Sequence, residues 1–96
     1  MANNDKEYKR LFSEVSKVIN KVDPENLEPG AKSGAPINEY NSETAQLVAY
    51  IIHNQEEIKL NKQKLLDKIN QIWKKSFGII CQDAETITKE IIKITF

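Results

Sequence analysis

A stripe of apolar side chains repeats every three or four positions between residues 65 and 77, and no other feature constrains the fold as strongly. The stripe consists of Leu65, Leu66, Ile69, Ile72, Trp73 and Phe77. This spacing places all of them on one face of an α-helix. Asn61 can cap the start of this helix, and Gly78 is well placed to end it because glycine readily adopts left-handed backbone. The stripe therefore predicts an amphipathic helix that ends at Gly78.

Residues 5–22 show the same helical spacing in seven apolar side chains, which are Tyr8, Leu11, Phe12, Val15, Val18, Ile19 and Val22. Asn4 and Glu7 have the spacing of a capping box at the start of this helix. At the other end, a residue before proline avoids helical backbone, so Asp23-Pro24 predicts a stop. Asp23 can also cap a new turn whose first position suits Pro24.

A second helix is predicted to begin at Asn41 or Ser42, with Glu43 in the first turn, where a carboxylate favours the helix dipole. Its predicted core face is Ala45, Val48, Ala49 and Ile52, widened by Leu47 and Ile51. A polar break over residues 53–57 follows. Ile58 and Leu60 are then expected to pack a connecting segment against the core.

The last segment, residues 83–95, fits either a strand or a helix. Seven of its residues are β-branched and suit a strand: Thr86, Ile87, Thr88, Ile91, Ile92, Ile94 and Thr95. However, Ala84, Ile87, Ile91 and Ile94 keep helical spacing, and the chain offers no second strand for pairing. A fourth helix, capped by Asp83, is the better prediction.

Residues 28–38 contain two of the three prolines and two of the three glycines, which predicts an ordered, turn-rich loop. With 96 residues, the chain is large enough for one hydrophobic core and too small for two. The predicted fold is all-α: a single helical domain over residues 1–96. We expect a bundle of about four helices, with the Gly/Pro loop between the first two.

The sequence offers no recognisable catalytic or metal-binding motif, so we expect no enzyme activity, no metal and no cofactor. His53 lies at the predicted end of the second helix, where an imidazolium favours the helix dipole. Cys81 is the only cysteine and is expected to be a small core residue in a reducing compartment. A carboxylate-based hydrolase using Glu39 and Glu43 is the enzymatic alternative.

The chain shows neither a secretory signal nor an apolar stretch long enough to span a bilayer, so we expect a cytoplasmic protein without membrane contact. Five lysines on the helix over residues 62–77 invite a nucleic-acid interpretation. Arg10 is the only arginine, and the aromatic residues Trp73 and Phe77 belong to the apolar stripe. We therefore favour a solvated helix face over a nucleic-acid site.

Negative charge is concentrated in the middle of a chain that has no net charge. Residues 1–22 have a net charge of +2 and residues 58–96 a net charge of +4. Residues 23–57 hold one basic side chain, Lys32, and seven acidic ones, a net charge of −6. Such a segment can steer a basic protein partner. The predicted partner-binding residues are Asp23, Glu25, Glu28, Glu39, Glu43, Glu56 and Glu57. Alternatively, these carboxylates only cap helices and balance nearby lysines.

A short pattern around the loop resembles a known bacterial family. Its residues are Asp23, Pro24, Leu27, Gly34, Ala35, Pro36, Glu39, Tyr40 and Glu43. They resemble the signature of the YugE-like proteins, a small all-α family of unassigned function. The chain is also similar to immunity proteins of contact-dependent growth inhibition and other polymorphic toxin systems. Asn38 and Asn41 stand where that family usually has Asp. The motif residues look structural; in particular, Tyr40 can bury its ring while its hydroxyl finds a backbone partner.

Charge and resemblance together predict a non-enzymatic domain that binds another protein. The first hypothesis is an immunity protein that neutralises a cognate toxin, in particular a nuclease, by covering its active site or substrate surface. The alternative is a regulatory or scaffolding module that self-associates through an apolar helix face. The oligomeric state stays open at this point.

Overall fold

The computed structural model describes residues 2–27, 34 and 39–96, with side chains from residue 6 onward. Five helices lie within these residues. The helices are α1 (Ala2–Val22), α2 (Asn41–His53), α3 (Gln55–Leu60), α4 (Gln63–Phe77) and α5 (Ala84–Thr95). No strand occurs within these ranges, so the predicted all-α class is confirmed. The predicted Gly/Pro loop over residues 28–38 lies outside the described residues except for Gly34.

Helix α4 ends as the sequence predicts, but its N-cap is Lys62, which makes no side-chain capping bond, and not the predicted Asn61. The Oδ1 atom of Asn61 accepts a hydrogen bond of 3.1 Å from the backbone N–H of Gln63. Gly78 has a φ of +79°, and its N–H donates to the carbonyl oxygen of Lys74 at 2.9 Å. This left-handed residue closes the last turn, because a residue with a side chain rarely adopts such backbone.

Helix α1 begins earlier than predicted. It starts at Ala2, so Asn4 lies inside the helix and the predicted capping box with Glu7 is wrong. The sequence has no proline or glycine before residue 24 that would interrupt helical backbone. The end at Asp23 is confirmed, because its φ of +52° takes the chain out of the helix.

Helix α2 presents only part of its predicted face to the core: Val48 is buried, and so are Leu47 and Ile51, which were expected to widen that face. Glu43 and Thr44 are also buried. The predicted core residues Ala45, Ala49 and Ile52 are only half-buried. The N-cap is Tyr40 rather than Asn41 or Ser42, and it makes no side-chain capping bond. Tyr40 itself is buried, with 1% of its surface exposed.

Most of the predicted polar break after α2 is instead helical and belongs to the short helix α3. Asn54 alone separates the two helices; its φ is −132°, and its Nδ2 donates to the carbonyl oxygen of Tyr50 at 2.8 Å. Ile58 is buried, as predicted. Leu60 is 87% exposed, so its predicted contact with the core is wrong. The reason is the helical turn, which points residues 58 and 60 in different directions.

The helices pack pairwise around one core. Helix α1 contacts α2 and α5, whereas α4 contacts α2, α3 and α5. The core contains Leu11, Val15, Ile19, Leu47, Val48, Ile51, Leu65, Ile69, Ile72, Trp73, Cys81, Ile87 and Ile91 among others. Cys81 is therefore a core residue, as predicted. None of the described helices combines the length and the apolar character that crossing a membrane requires.

Candidate functional site

Residues 23–27, which we call the acidic turn, connect the end of α1 to the rest of the chain with an unusual backbone. Asp23 and Asn26 both have positive φ, +52° and +53°. The N–H of Asn26 donates to the carbonyl oxygen of Asp23 at 2.9 Å, which closes a β-turn through Pro24 and Glu25. The Oδ1 atom of Asp23 accepts the N–H of Leu27 at 2.8 Å. The prediction that Asp23 caps a new turn is confirmed.

Tyr40 fixes the acidic turn from the start of α2. Its hydroxyl donates to Oδ1 of Asp23 at 2.8 Å and accepts the N–H of Glu25 at 3.0 Å. One phenol oxygen thereby joins residues that are 17 and 15 positions away in the sequence. The predicted burial of the Tyr40 ring with a backbone partner for its hydroxyl is confirmed.

Trp73 holds the other side of the turn from α4. Its Nε1 donates to Oε2 of Glu25 at 3.0 Å, across 48 positions of sequence. The rings of Trp73 and Tyr40 stack with centroids 5.9 Å apart and planes inclined by 22°. Phe77 joins them with its centroid 5.4 Å from that of Trp73. These three residues, Tyr40, Trp73 and Phe77, form an aromatic base on which the acidic turn rests.

The Glu25 carboxylate has one hydrogen bond and no ion pair among the described residues. Its described donor is a neutral indole, and no described lysine or arginine pairs with this half-exposed carboxylate. A carboxylate without a paired cation contributes negative potential at the surface. The acidic turn is therefore both fixed in shape and anionic at Glu25.

The Tyr40 hydroxyl keeps its proton in this environment. Burial raises the pKa of Tyr40 well above its ordinary value, as does the hydrogen bond to Asp23, and the N–H of Glu25 offsets only part of this. The neutral phenol is thus favoured in the folded chain. Its contribution to stability is complete below the ordinary pKa of about 10 and is lost as the pH rises above it.

Outside the acidic turn, the predicted partner-binding residues that are exposed divide into two groups. Glu39 is exposed beside Tyr40, whereas Glu56 and Glu57 are exposed on α3, beyond the other end of α2. Helix α2 has 13 residues and is about 20 Å long, so these groups do not form one surface patch. Glu43 is only 6% exposed and lies in the core-facing side of α2. Glu28 falls outside the described residues. A partner-binding role for this set stays a prediction.

The described residues show no converging catalytic or metal-binding groups. Among them, no cluster of three His, Cys, Asp or Glu side chains could hold a metal ion. His53 is exposed in the last turn of α2. A groove of about 540 Å³ between α2, α3 and α4 has side chains that pair with one another. Lys64 Nζ lies 3.2 Å from Glu57 Oε2, and Lys68 Nζ lies 5.3 Å from the Tyr50 ring centroid.

Cys81 is expected to react slowly with thiol reagents while the chain is folded. The side chain is buried, and burial raises the pKa of the thiol to about 11. At about pH 8, this lowers the thiolate fraction at least about 100-fold relative to an unperturbed cysteine. Labelling by a disulfide reagent should therefore be slow in buffer and fast in guanidinium chloride. Equal rates under both conditions would contradict a buried Cys81.

One contact of the acidic turn was not predicted from the sequence. Trp73 was assigned to the core stripe, and its bond to Glu25 was missed. A signal for it exists, since a buried tryptophan N–H needs an acceptor. The sequence alone did not identify which carboxylate supplies that acceptor.

Comparisons with known proteins do not extend these observations. No protein-family model, curated protein or solved structure matches the chain.

Proposed function

We propose that this chain is a non-enzymatic protein-binding domain that acts as an immunity protein in the cytoplasm. It binds a cognate toxin domain with a basic active-site cleft, as expected for a nuclease, and covers that cleft. The observation that supports this most directly is the acidic turn, in which Glu25 has no ion pair among the described residues while Tyr40 and Trp73 hold it in place.

A fixed turn favours tight binding because little freedom is lost when the partner docks. Ordering a mobile loop costs free energy that is subtracted from the affinity. In the acidic turn, three hydrogen bonds from Leu27, Tyr40 and Trp73 meet the carboxylates of Asp23 and Glu25. Most of this ordering is therefore complete before the partner arrives.

The charge of this surface suits a basic partner. Glu39 is exposed immediately before Tyr40, and Glu25 is half-exposed on the turn that Tyr40 holds. Carboxylates on one surface raise the association rate with a cationic cleft. The resemblance to YugE-like and immunity proteins involves the same residues, since Asp23, Glu39 and Tyr40 belong to the shared pattern.

The predicted bundle of four longer helices is part of this proposal. Its support is that α1, α2, α4 and α5 each pack against two of the other three. Such a bundle, with an ordered loop between α1 and α2, would present the acidic turn at one end of the molecule.

The first test is coexpression with a toxin gene encoded beside this one. We expect the chain to restore growth of cells that produce the toxin, and the two proteins to co-purify as a complex. Toxicity that persists without any complex would contradict the immunity function.

The second test reverses the charge of Glu39, which is exposed, so that folding is not affected. Glu39→Lys should lower the association rate with the toxin about three- to tenfold at low salt, and the difference should shrink at high salt. Glu14→Lys on α1 is the matched control and should leave the rate unchanged. Surface plasmon resonance measures both. Equal rates for Glu39→Lys and the original chain would exclude the acidic surface as the interface.

A self-associating regulatory or scaffolding module is the second candidate. It is favoured by two adjacent apolar side chains in the segment between α4 and α5, Ile79 and Ile80, which are 49% and 60% exposed. If this candidate is correct, light scattering should give the mass of a dimer, and Ile80→Ser should restore the monomer. A monomer at all concentrations would contradict it.

A further inference from the structure

A shallow groove runs between the start of α4 and the outer face of α5. It consists of two adjoining depressions of about 180 and 260 Å³, both of which are lined by Lys62, Thr88 and Lys89. Leu66 contributes apolar surface to one depression and Ile92 to the other. Both side chains are half-buried, so part of each faces the groove. We call this feature the α4–α5 groove.

Positive charge surrounds most of the α4–α5 groove. Lys62 and Lys89 form no ion pair with any other residue that the structure describes. Lys93 lies 3.8 Å from Glu90, in an exposed pair of the kind that contributes little. Glu85 is the one carboxylate on the lining, at the end nearest the start of α5. The net charge of the lining is therefore positive.

Thr88 belongs to the lining of both depressions and is 7% exposed. Its Oγ1 is buried and has no hydrogen-bond partner among the described residues. This oxygen has almost no accessible surface, so Thr88 contributes shape to the groove and no hydrogen bond to a ligand in it.

We infer that the α4–α5 groove binds an acidic amphipathic helix of a partner protein. The apolar side of that helix would cover Leu66 and Ile92, and its carboxylates would meet Lys62 and Lys89. Such a helix matches both properties of the groove, the apolar floor and the basic rim.

This surface is separate from the acidic turn and opposite to it in charge. Lys62 precedes Trp73 by 11 positions along α4, which corresponds to about 16 Å. A basic toxin cleft that fits the acidic turn would be repelled by the α4–α5 groove. The inference thus adds a second partner of different chemistry to the proposed function.

The test is a titration of the isotope-labelled chain with a synthetic peptide, followed by NMR. The probe is a peptide of about 18 residues, roughly five helical turns, with Leu on one face and Glu elsewhere. We expect saturable shifts of the Lys62, Thr88 and Lys89 amide signals. A matched peptide with Lys in place of Glu should cause none. Equal shifts with both peptides, or shifts confined to other residues, would overturn the inference.

Two variants test the contacts separately. Lys89→Glu with Lys93→Glu should weaken binding of the Glu peptide about tenfold, whereas Lys74→Glu with Lys75→Glu, at the other end of α4, should not weaken it. Thr88→Val removes the buried hydroxyl at nearly constant volume and should leave both binding and the melting temperature nearly unchanged. Equal effects of the two lysine pairs would contradict a defined site. Binding to anionic lipid vesicles in place of the peptide would also overturn it.

Discussion

Replacing Trp73 with alanine is expected to lower the free energy of unfolding by about 3–5 kcal/mol, the range for a large buried aromatic residue. The side chain is 1% exposed and contacts both other members of the aromatic base. The substitution also removes the donor to Glu25. A domain of this size is stable by only about 5–15 kcal/mol, so much of that stability should be lost. Urea unfolding followed by circular dichroism measures the effect.

Trp73→Phe separates packing from hydrogen bonding. It keeps most of the apolar volume and removes the indole N–H, so we expect a loss of about 1–2 kcal/mol, mostly from the unmade bond to Glu25. Phe77→Leu, on the half-buried edge of the aromatic base, is a milder packing control. A loss below about 1 kcal/mol for Trp73→Ala would show that the aromatic base does not hold the fold together.

Replacing Tyr40 with phenylalanine is expected to cost about 2 kcal/mol, because one hydroxyl serves both a carboxylate and a backbone N–H. The ring would remain in place, since its stacking on Trp73 does not involve the oxygen. The acidic turn should loosen, and the amide protons of Glu25 and Leu27 should exchange faster with solvent. Hydrogen exchange followed by NMR measures this directly.

Tyr8→Phe is the matched control for the Tyr40 variant. Tyr8 is half-buried on α1, and its hydroxyl has no hydrogen bond to another described residue, so the change should stay within about 0.5 kcal/mol. Combining Tyr40→Phe with Asp23→Ala completes a double-mutant cycle, because alanine has no oxygen that could accept the Tyr40 hydroxyl. We expect a coupling energy of about 1 kcal/mol between the two sites. Additive effects would show that the hydrogen bond between Tyr40 and Asp23 does not contribute to stability.

The sequence was most informative where local rules decide the structure. The apolar stripe of α4 and the left-handed Gly78 depend on residues within a few turns of one another, and both were predicted. The same holds for Asp23, where a following proline and a capping carboxylate favour the observed turn. The burial of Tyr40 with a bonded hydroxyl was also predicted, because a phenol has one apolar and one polar end.

Features that depend on distant contacts were not predicted. Part of the core face of α2 was misassigned, because which of its residues are buried depends on packing against α1 and α4. Helix α3 was missed because only six residues form it. The sequence does contain a charge pattern that stabilises such a helix through its dipole. Acidic side chains lie in the first turn, Glu56 and Glu57, and a basic one, Lys59, lies in the last. The bond between Trp73 and Glu25 spans too much of the chain for any spacing rule to reveal it.

The position of Trp73 also gives the chain an optical reporter of its own. It is the only tryptophan, and its indole is shielded from water while bonded to a carboxylate on the acidic turn. Its emission should therefore lie toward shorter wavelengths in the free chain. A cationic partner that docks on the turn would change the electric field at the ring. Changes in this single emission band should then follow binding at the acidic turn without any attached dye, while binding at the distant α4–α5 groove should leave it nearly constant.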